Sequence, residues 1–187
     1  MTEAGITIGR ATGDDLGILA GIERDGAQLY RAIGYDFCAD GPVREPHEHA
    51  RALNEGTILV ARTDTGHGEA EGPVAFAMLW PCDGRAHLAE LSVRLAWQNR
   101  GVGRRLLDGA EAWARTAGYP EITLTTFRDV AWNAPVYARR GYRVFVPGLE
   151  RPALRAVIAE EAGAGFHVRP RVVMAKRLSV SASACDR

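Results

Sequence analysis

The sequence has few cysteines, no long apolar run and no net charge, and each absence argues against a class of function. Its three cysteines, Cys38, Cys82 and Cys185, are an odd number without the spacing of metal ligands. We therefore expect reduced thiols, no metal site and a cytoplasmic location. No segment approaches a membrane span, and the first ten residues, MTEAGITIGR, lack the apolar core of a signal peptide. Lys+Arg and Asp+Glu number 23 each, which predicts no nucleic-acid or membrane partner.

What the sequence does contain is ordinary for a globular protein. It has 187 residues, of which 47% are hydrophobic and 25% charged. This length fits one domain with a sizeable core, and we expect a single domain over 1–178. The small, polar residues of 179–187 predict a flexible tail.

The hydrophobic pattern alternates between the periods of strands and helices. It predicts strands over 7–11, 57–63, 73–80, 86–93, 121–127, 142–146 and 171–178, and helices from 16 onward, over 102–117, 134–140 and 152–162. The second to fourth strands should form an antiparallel meander, and the fifth should lie parallel to the fourth. Residues 29–46 show no clear period, so a lid over a pocket and a loop packed on the core both remain open.

One stretch organises the chain, LSVRLAWQNRGVG over 91–103. It ends a strand, makes a glycine-bearing turn and starts an amphipathic helix that Gly118 should terminate. The first N–H groups of a helix have no intrahelical partner, and the helix dipole is positive there, so this end suits a phosphate. Glycines at 101 and 103 would let an anion approach the backbone, and arginines at 100, 104 and 105 would add charge.

Two motifs resemble a known family. Gln98-x-x-Gly101-x-Gly103 is similar to the (Arg/Gln)-x-x-Gly-x-(Gly/Ala) acyl-CoA signature of the GNAT N-acetyltransferase superfamily, and Tyr137-x-x-x-Gly141-Tyr142 resembles a second motif of that family. The resemblance implies a mixed α/β GNAT fold, with a mostly antiparallel twisted sheet, one parallel splayed strand pair and flanking helices. It also implies acetyl-CoA as cosubstrate.

The resemblance assigns cofactor-binding positions along the central stretch and at one later asparagine. These are Leu91, Val93, Gln98, Asn99, Arg100, Gly101, Val102, Gly103, Arg104 and Asn133. The asparagine departs from the family pattern, because Val130 stands seven residues before Tyr137, where the family often has asparagine. Since Pro135 favours a helix starting near Asn133, a helix cap is the alternative role for that residue.

Acyl transfer to an amine requires a base, because an alkylamine of pKa about 10.4 is almost fully protonated near pH 7. Glu90 is the candidate base, and a solvated or Arg-paired carboxylate is the alternative interpretation. Tyr137 is the candidate proton donor to the CoA thiolate, unless it only packs its helix on the sheet. His87 and Asp129 are reserve bases that we expect to be structural.

His47 and His49 could suggest a metal, but no third ligand is evident, and a solvated loop is the simpler interpretation. The sequence thus predicts an acetyl-CoA-dependent N-acetyltransferase acting on a primary amine of a small molecule. A protein or peptide N-acetyltransferase and a noncatalytic acyl-CoA-binding regulator are the alternatives. The assembly state is open, and a homodimer is one option.

Overall fold

The computed structural model describes residues 5–64 and 71–179, and they form a mixed α/β fold. The strands are β1 Gly5–Arg10, β2 Thr57–Asp64, β3 Glu71–Cys82, β4 Arg85–Val93, β5 Glu121–Phe127, β6 Arg143–Phe145 and β7 Arg171–Arg177. The helices are α1 Leu16–Ala27, α2 Asp36–Ala39, α3 Pro46–Glu55, α4 Val102–Thr116, α5 Ala134–Arg139 and α6 Pro152–Gly163. Short 3-10 turns lie at Gly13–Asp15, Gln28–Ile33, Leu95–Trp97 and Phe166–Val168. Residues 65–70, between β2 and β3, and most of the predicted tail, 180–187, lie outside the described residues.

The seven strands follow the order β1-β2-β3-β4-β5-β7-β6. β2 pairs antiparallel with β1 and β3, and β7 pairs antiparallel with β5 and β6. β4 pairs parallel with β5, from Ala86 opposite Ile122 to Leu88 opposite Leu124. The predicted mixed sheet with one parallel pair is confirmed.

The chain divides into two compact units. The described part of the first comprises 5–64, 71–80 and 89–110, and that of the second comprises 81–88 and 111–179. β4 and α4 each contribute residues to both units. The expectation of one domain over 1–178 stays a prediction.

The core of the first unit lies where α1 and α3 pack on β2 and β3. Its buried residues are Ala11, Leu19, Ile22, Ala52, Ile58, Val60, Phe76 and Met78. Thr12 and the Asp15 carboxylate form a capping box that starts the 3-10 turn Gly13–Asp15 leading into α1, with Thr12 N–H to Asp15 Oδ2 at 2.7 Å.

Helix α3 corrects a prediction, because His47 and His49 do not lie in a solvated loop. A capping box of Glu45 with Glu48 and a proline at the first helical position start the helix. His49 lies on its inner side and is fully buried. Its ring meets that of Phe76 edge-on, with centroids 5.8 Å apart.

In the second unit, β5 pairs with β7 along its whole length, from Glu121 opposite Arg177 to Phe127 opposite Arg171. The predicted helix over 152–162 forms α6, between β6 and β7 in the sequence. The Asp83 carboxylate accepts the first N–H groups of α6, from Ala153 at 3.1 Å and Leu154 at 3.0 Å.

Candidate active site

The turn before α4 has the backbone form that its glycines predict. Asn99 and Gly101 take left-handed conformations, with φ of 59° and 76°. A Cβ built on Gly101 would meet no atom within 4 Å, so the turn leaves open space beside the first N–H groups of α4. The first helical hydrogen bond runs from Arg105 N–H to the Gly101 carbonyl, at 3.1 Å. This end of α4 therefore fits a phosphate, which backbone N–H groups bind.

Gly103 lies against the end of β4, and its role in binding the cofactor stays a prediction. A Cβ there would lie 3.4 Å from Leu91 Cδ2 and 3.6 Å from Val93 Cγ2, which are ordinary contacts. Residue 103 therefore faces the end of β4, and its size lets α4 pack there. An alanine fits, whereas a larger side chain would separate the helix from the strand.

The predicted basic groups around the turn already have partners. The Arg100 guanidinium lies over the Trp97 ring at 5.0 Å, and Arg105 donates to the Ile6 carbonyl at 2.9 Å. Arg104 is exposed and reaches Asp108 only at 4.0 Å. Arg104 is consequently the most readily available of the three for a bound anion.

Gln98 joins α1 to the end of β4. Its side-chain amide donates to the Val93 carbonyl at 2.9 Å and the Gly26 carbonyl at 3.3 Å. Leu95 N–H donates to Asp25 Oδ2 at 2.9 Å. At Gly26 the backbones are so close that a Cβ would lie 2.7 Å from the Val93 carbonyl oxygen. The last turn of α1 is thus held directly against β4.

Glu90 lies on β4, three residues before the strand ends. Its Oε1 accepts hydrogen bonds from Ser92 Oγ at 2.8 Å and Leu91 N–H at 3.2 Å. Ser92 shares the strand face with Glu90, as strand alternation predicts. No arginine or lysine of the described residues forms an ion pair with Glu90, so the Arg-paired alternative does not apply.

The sequence prediction missed Glu23, a carboxylate on α1. Arg44 N–H donates to Glu23 Oε2 at 3.2 Å. Burial raises the pKa of Glu23 from 4.5 to about 8, helped by the nearby charge of Glu90. The signal was present in the helical spacing, because Leu19, Ile22 and Glu23 fall on one side of α1.

Arg44 and Glu48 lie beside this carboxylate pair. The Arg44 guanidinium donates to Glu48 Oε1 and to the Ala89 carbonyl, each at 3.4 Å, and lies 5.5 Å over the Trp80 ring. Its contact with Glu23 is through the main chain alone, so the guanidinium leaves the Glu23 carboxylate without an ion pair. Neither ring nitrogen of the buried His49 has a hydrogen-bond partner in the described part of the chain, and burial lowers its pKa.

Tyr137 lies in the second unit, where its ring meets Tyr142 edge-on at 5.6 Å. Tyr142 is buried. Its burial raises the pKa of its hydroxyl, and the charge of Glu111 is the second cause. Glu111 is itself buried and paired with Lys176 at 2.7 Å and Arg115 at 3.0 Å. Tyr137 therefore rests against a buried ring that has a charged cluster behind it.

Asn133 occupies the N-cap position of α5 and is 9% exposed. The short helix starts at Ala134 with Pro135 in its first turn, as predicted. The Asn133 side chain forms no capping hydrogen bond. The helix-cap interpretation therefore predicted the position of Asn133 correctly, but not a hydrogen bond from its side chain to the helix.

The reserve candidates have structural contacts. His87 is buried, and its Nδ1 lies 3.0 Å from Thr123 Oγ1. Asp129 pairs with Arg128 at 2.8 Å on the surface. Burial raises the pKa of the Cys82 thiol to about 11. The described residues contain no cluster of three groups that could hold a metal ion and no helix long and apolar enough to cross a membrane.

Comparison with known proteins identifies the family. The model of the acetyltransferase (GNAT) family matches residues 26–142. This span contains β4, the glycine turn, α4 and the Tyr137 motif, so the chain belongs to the GNAT acetyltransferase family. Acetyl-CoA is the cosubstrate of this family.

Solved structures with the same fold include enzymes with different acceptors. The PaiA N-acetyltransferase of Thermoplasma acidophilum, in complex with coenzyme A, is 18% identical; the match covers 92% of this chain and 99% of that one, with a TM-score of 0.62. The ribosomal-protein-S18-alanine N-acetyltransferase of Escherichia coli is 17% identical over 98% and 100%, with a TM-score of 0.63. N-acetylglutamate synthase of Neisseria gonorrhoeae, complexed with coenzyme A and N-acetyl-glutamate, is 17% identical over 95% of this chain and 36% of that chain, with a TM-score of 0.64.

Proposed function

We propose that this protein is an N-acetyltransferase that transfers the acetyl group of acetyl-CoA to a primary amine of a small molecule. The observation that carries the proposal is the arrangement along β4 and α4. One strand holds Glu90, ends at Val93 and leads through the open turn at Gly101 into α4. A carboxylate for the acceptor amine and an anion-binding helix end for the donor therefore belong to one continuous segment.

The donor would bind with its diphosphate at the start of α4. The N–H groups of 102–104 have no partner within the helix, and the glycine conformation at 101 leaves room beside them. By the family resemblance, Val93 N–H would polarise the thioester carbonyl, and Tyr137 would protonate the departing thiolate. In the transfer, the amine nitrogen forms a bond to the acetyl carbon, the carbon–sulfur bond breaks, and the thiolate takes a proton.

The acceptor side is acidic, which favours a cationic amine. Glu23, Glu48 and Glu90 lie near one another, and Arg44 is the basic group identified beside them. Such a site raises the local concentration of ammonium groups and disfavours carboxylates.

The function is tested by incubating the protein with acetyl-CoA and a panel of di- and polyamines, amino acids, aminoglycosides and peptides, while thiol release is followed. Mass spectrometry then identifies the acetylated product. We expect small amines to be acetylated. Turnover of peptides alone would favour a protein acetyltransferase, and CoA binding without any turnover would favour a noncatalytic regulator.

The donor site is tested by calorimetry of CoA binding to Gly101→Ala, with Gly118→Ala as the matched control. Both glycines have positive φ, 76° and 80°, and a Cβ at either would meet no atom within 4 Å. Both substitutions should therefore cost about 1 kcal/mol of stability. Only Gly101→Ala should weaken CoA binding, and equal affinities for the two variants would contradict our placement of the diphosphate.

The role of Tyr137 is tested with Tyr137→Phe, which keeps the ring but removes the proton donor. We expect kcat to fall at least tenfold with little change in CoA affinity. An unchanged kcat would show that the ring only packs against Tyr142.

A further inference from the structure

We propose that Glu23 is the group that takes the proton from the acceptor ammonium, and that Glu90 beside it holds the amine. This inference rests on the proposed function, because it needs an amine acceptor beside β4. It assigns a catalytic role to a residue of α1 that neither sequence motif contains.

The first step of the argument is the position of α1. The contact between Gly26 and the Val93 carbonyl and the two hydrogen bonds of Gln98 hold the last turn of α1 against β4. Glu23 lies three residues before Gly26, on the same side of the helix. Arg44 links Glu23 to the same part of β4, because its N–H donates to Glu23 Oε2 at 3.2 Å and its guanidinium donates at 3.4 Å to the carbonyl of Ala89, the residue before Glu90. The packing of α1 and this arginine therefore place Glu23 where the charge of Glu90 acts on it.

The second step is the charge around the pair. Arg44 comes from the loop before α3, Glu48 from α3 and Glu90 from β4, and these are the charged groups that act on Glu23. The Arg44 guanidinium is used by Glu48, the Ala89 carbonyl and Trp80. Two carboxylates without a paired cation cannot both ionise freely, so one of them holds a proton near neutral pH.

The third step decides which carboxylate holds that proton. Glu90 accepts hydrogen bonds from the Ser92 hydroxyl and from Leu91 N–H. Glu23 accepts one bond, from Arg44 N–H at 3.2 Å. Glu23 is therefore the group with the raised pKa, about 8.

The raised pKa suits proton transfer from an amine. An alkylammonium of pKa about 10.4 transfers its proton to an ordinary carboxylate with an equilibrium constant of about one in a million. With a proton acceptor of pKa about 8, that constant becomes about one in a few hundred. In the step itself, the N–H bond of the ammonium breaks, its electron pair stays on nitrogen, and the proton binds the ionised Glu23 carboxylate. The neutral amine then attacks the thioester carbonyl of acetyl-CoA.

The first test needs no acceptor. The side-chain carboxyl carbons of glutamate are labelled with carbon-13, and their NMR shifts are followed from pH 4 to pH 10. We expect one resonance that titrates near pH 8, is absent from Glu23→Gln and titrates at lower pH in Glu90→Gln. Glu55→Gln is the control, because Glu55 is exposed and pairs with Arg51 at 3.0 Å away from this site. A wild-type spectrum with no glutamate titrating above pH 6.5 would overturn the inference.

The second test is the pH dependence of kcat/KM, with the best small amine from the panel as acceptor. The wild-type value should rise with an inflection near pH 8. Glu23→Gln should lower it about 100-fold at pH 8 and remove the inflection, whereas Glu90→Gln, which leaves Glu23 in place, should move the inflection to lower pH. If wild-type protein acetylates the amine and Glu23→Gln keeps the same profile and rate, the inference is wrong and the proposed function stands. If wild-type protein binds CoA but acetylates no amine, the proposed function fails and the inference fails with it.

Discussion

The protonation of Glu23 makes a prediction about stability that is independent of catalysis. Its pKa is about 8 in the folded protein, against an ordinary value of 4.5 that applies to the unfolded chain. Below pH 4.5, Glu23 is protonated in both states. Between pH 4.5 and 8 the unfolded chain loses the proton first, so the free energy of unfolding falls as pH rises. Above pH 8 the carboxylate is charged in both states, and the loss is complete.

The size of this loss follows from the change in pKa. The full change from 4.5 to about 8 corresponds to about 5 kcal/mol. Glu23 is only partly buried, and part of its raised pKa comes from the nearby charge of Glu90, so the effect is smaller than this. We therefore expect wild-type protein to lose about 2 kcal/mol between pH 4.5 and pH 8.5, relative to Glu23→Gln.

Urea unfolding, followed by circular dichroism at one-unit steps from pH 4.5 to pH 9, measures this difference. Glutamine is neutral at every pH, so the variant should be as stable as wild type at pH 4.5 and more stable at pH 9. Glu55→Gln should run parallel to wild type, because its exposed pair with Arg51 contributes little. Parallel curves for wild type and Glu23→Gln would refute the argument that burial and Glu90 keep Glu23 protonated.

Three further substitutions test the packing and the buried groups. Gly26→Ala places a Cβ 2.7 Å from the Val93 carbonyl oxygen, so it should cost about 1–3 kcal/mol in urea unfolding and lower the pH at which Glu23 titrates. Lys176→Ala leaves the buried Glu111 without its 2.7 Å partner, and we expect a loss of about 2–3 kcal/mol by the same assay. The Cys82 thiol, with a pKa of about 11, should react with a disulfide reagent only after unfolding, so Cys82→Ser should leave the number of fast-reacting native thiols unchanged.

The parts of the fold that the sequence predicts well are those with a local cause. Helix α4 has a complete apolar side, and its end follows from Gly118, whose φ is 80°. Tyr119 N–H closes that end on the Ala114 carbonyl at 2.9 Å. Strand β5 is a run of β-branched residues between turns, and its observed bounds equal the predicted ones.

Helix α3 was missed because its inner side is not apolar. Its buried residues are His49 and Ala52, so the usual hydrophobic period is absent. The capping box and the proline at its start were visible signals of a helix. A buried histidine in a polar segment resembles an exposed one until the sheet that covers it is known.

The candidate site shows the same difference between features with a local cause and features that depend on distant residues. The donor end depends on the backbone, since the conformation of Gly101 and the first N–H groups of α4 need only a short motif. The proposed base depends on the approach of α1 to β4, which joins residues far apart in the chain. The motif therefore predicted the turn, and the role of Glu90 stays a prediction from its place on the strand, whereas no local pattern pointed to Glu23.

This difference explains why the family of the chain is shown, whereas its acceptor is a proposal. Backbone N–H groups bind a phosphate whatever side chains surround them, and the family whose model matches residues 26–142 uses acetyl-CoA whatever its acceptor. An acceptor is recognised by side chains, and solved structures of this fold include one enzyme named for a protein alanine and one bound to N-acetyl-glutamate. In our proposal these side chains are Glu23 of α1 and Glu90 of β4, whereas the Arg44 guanidinium next to them pairs with Glu48. Because the electrostatic cost of that arrangement falls when a cation binds between them, the same contacts that destabilise the free protein at high pH favour an ammonium group at this place.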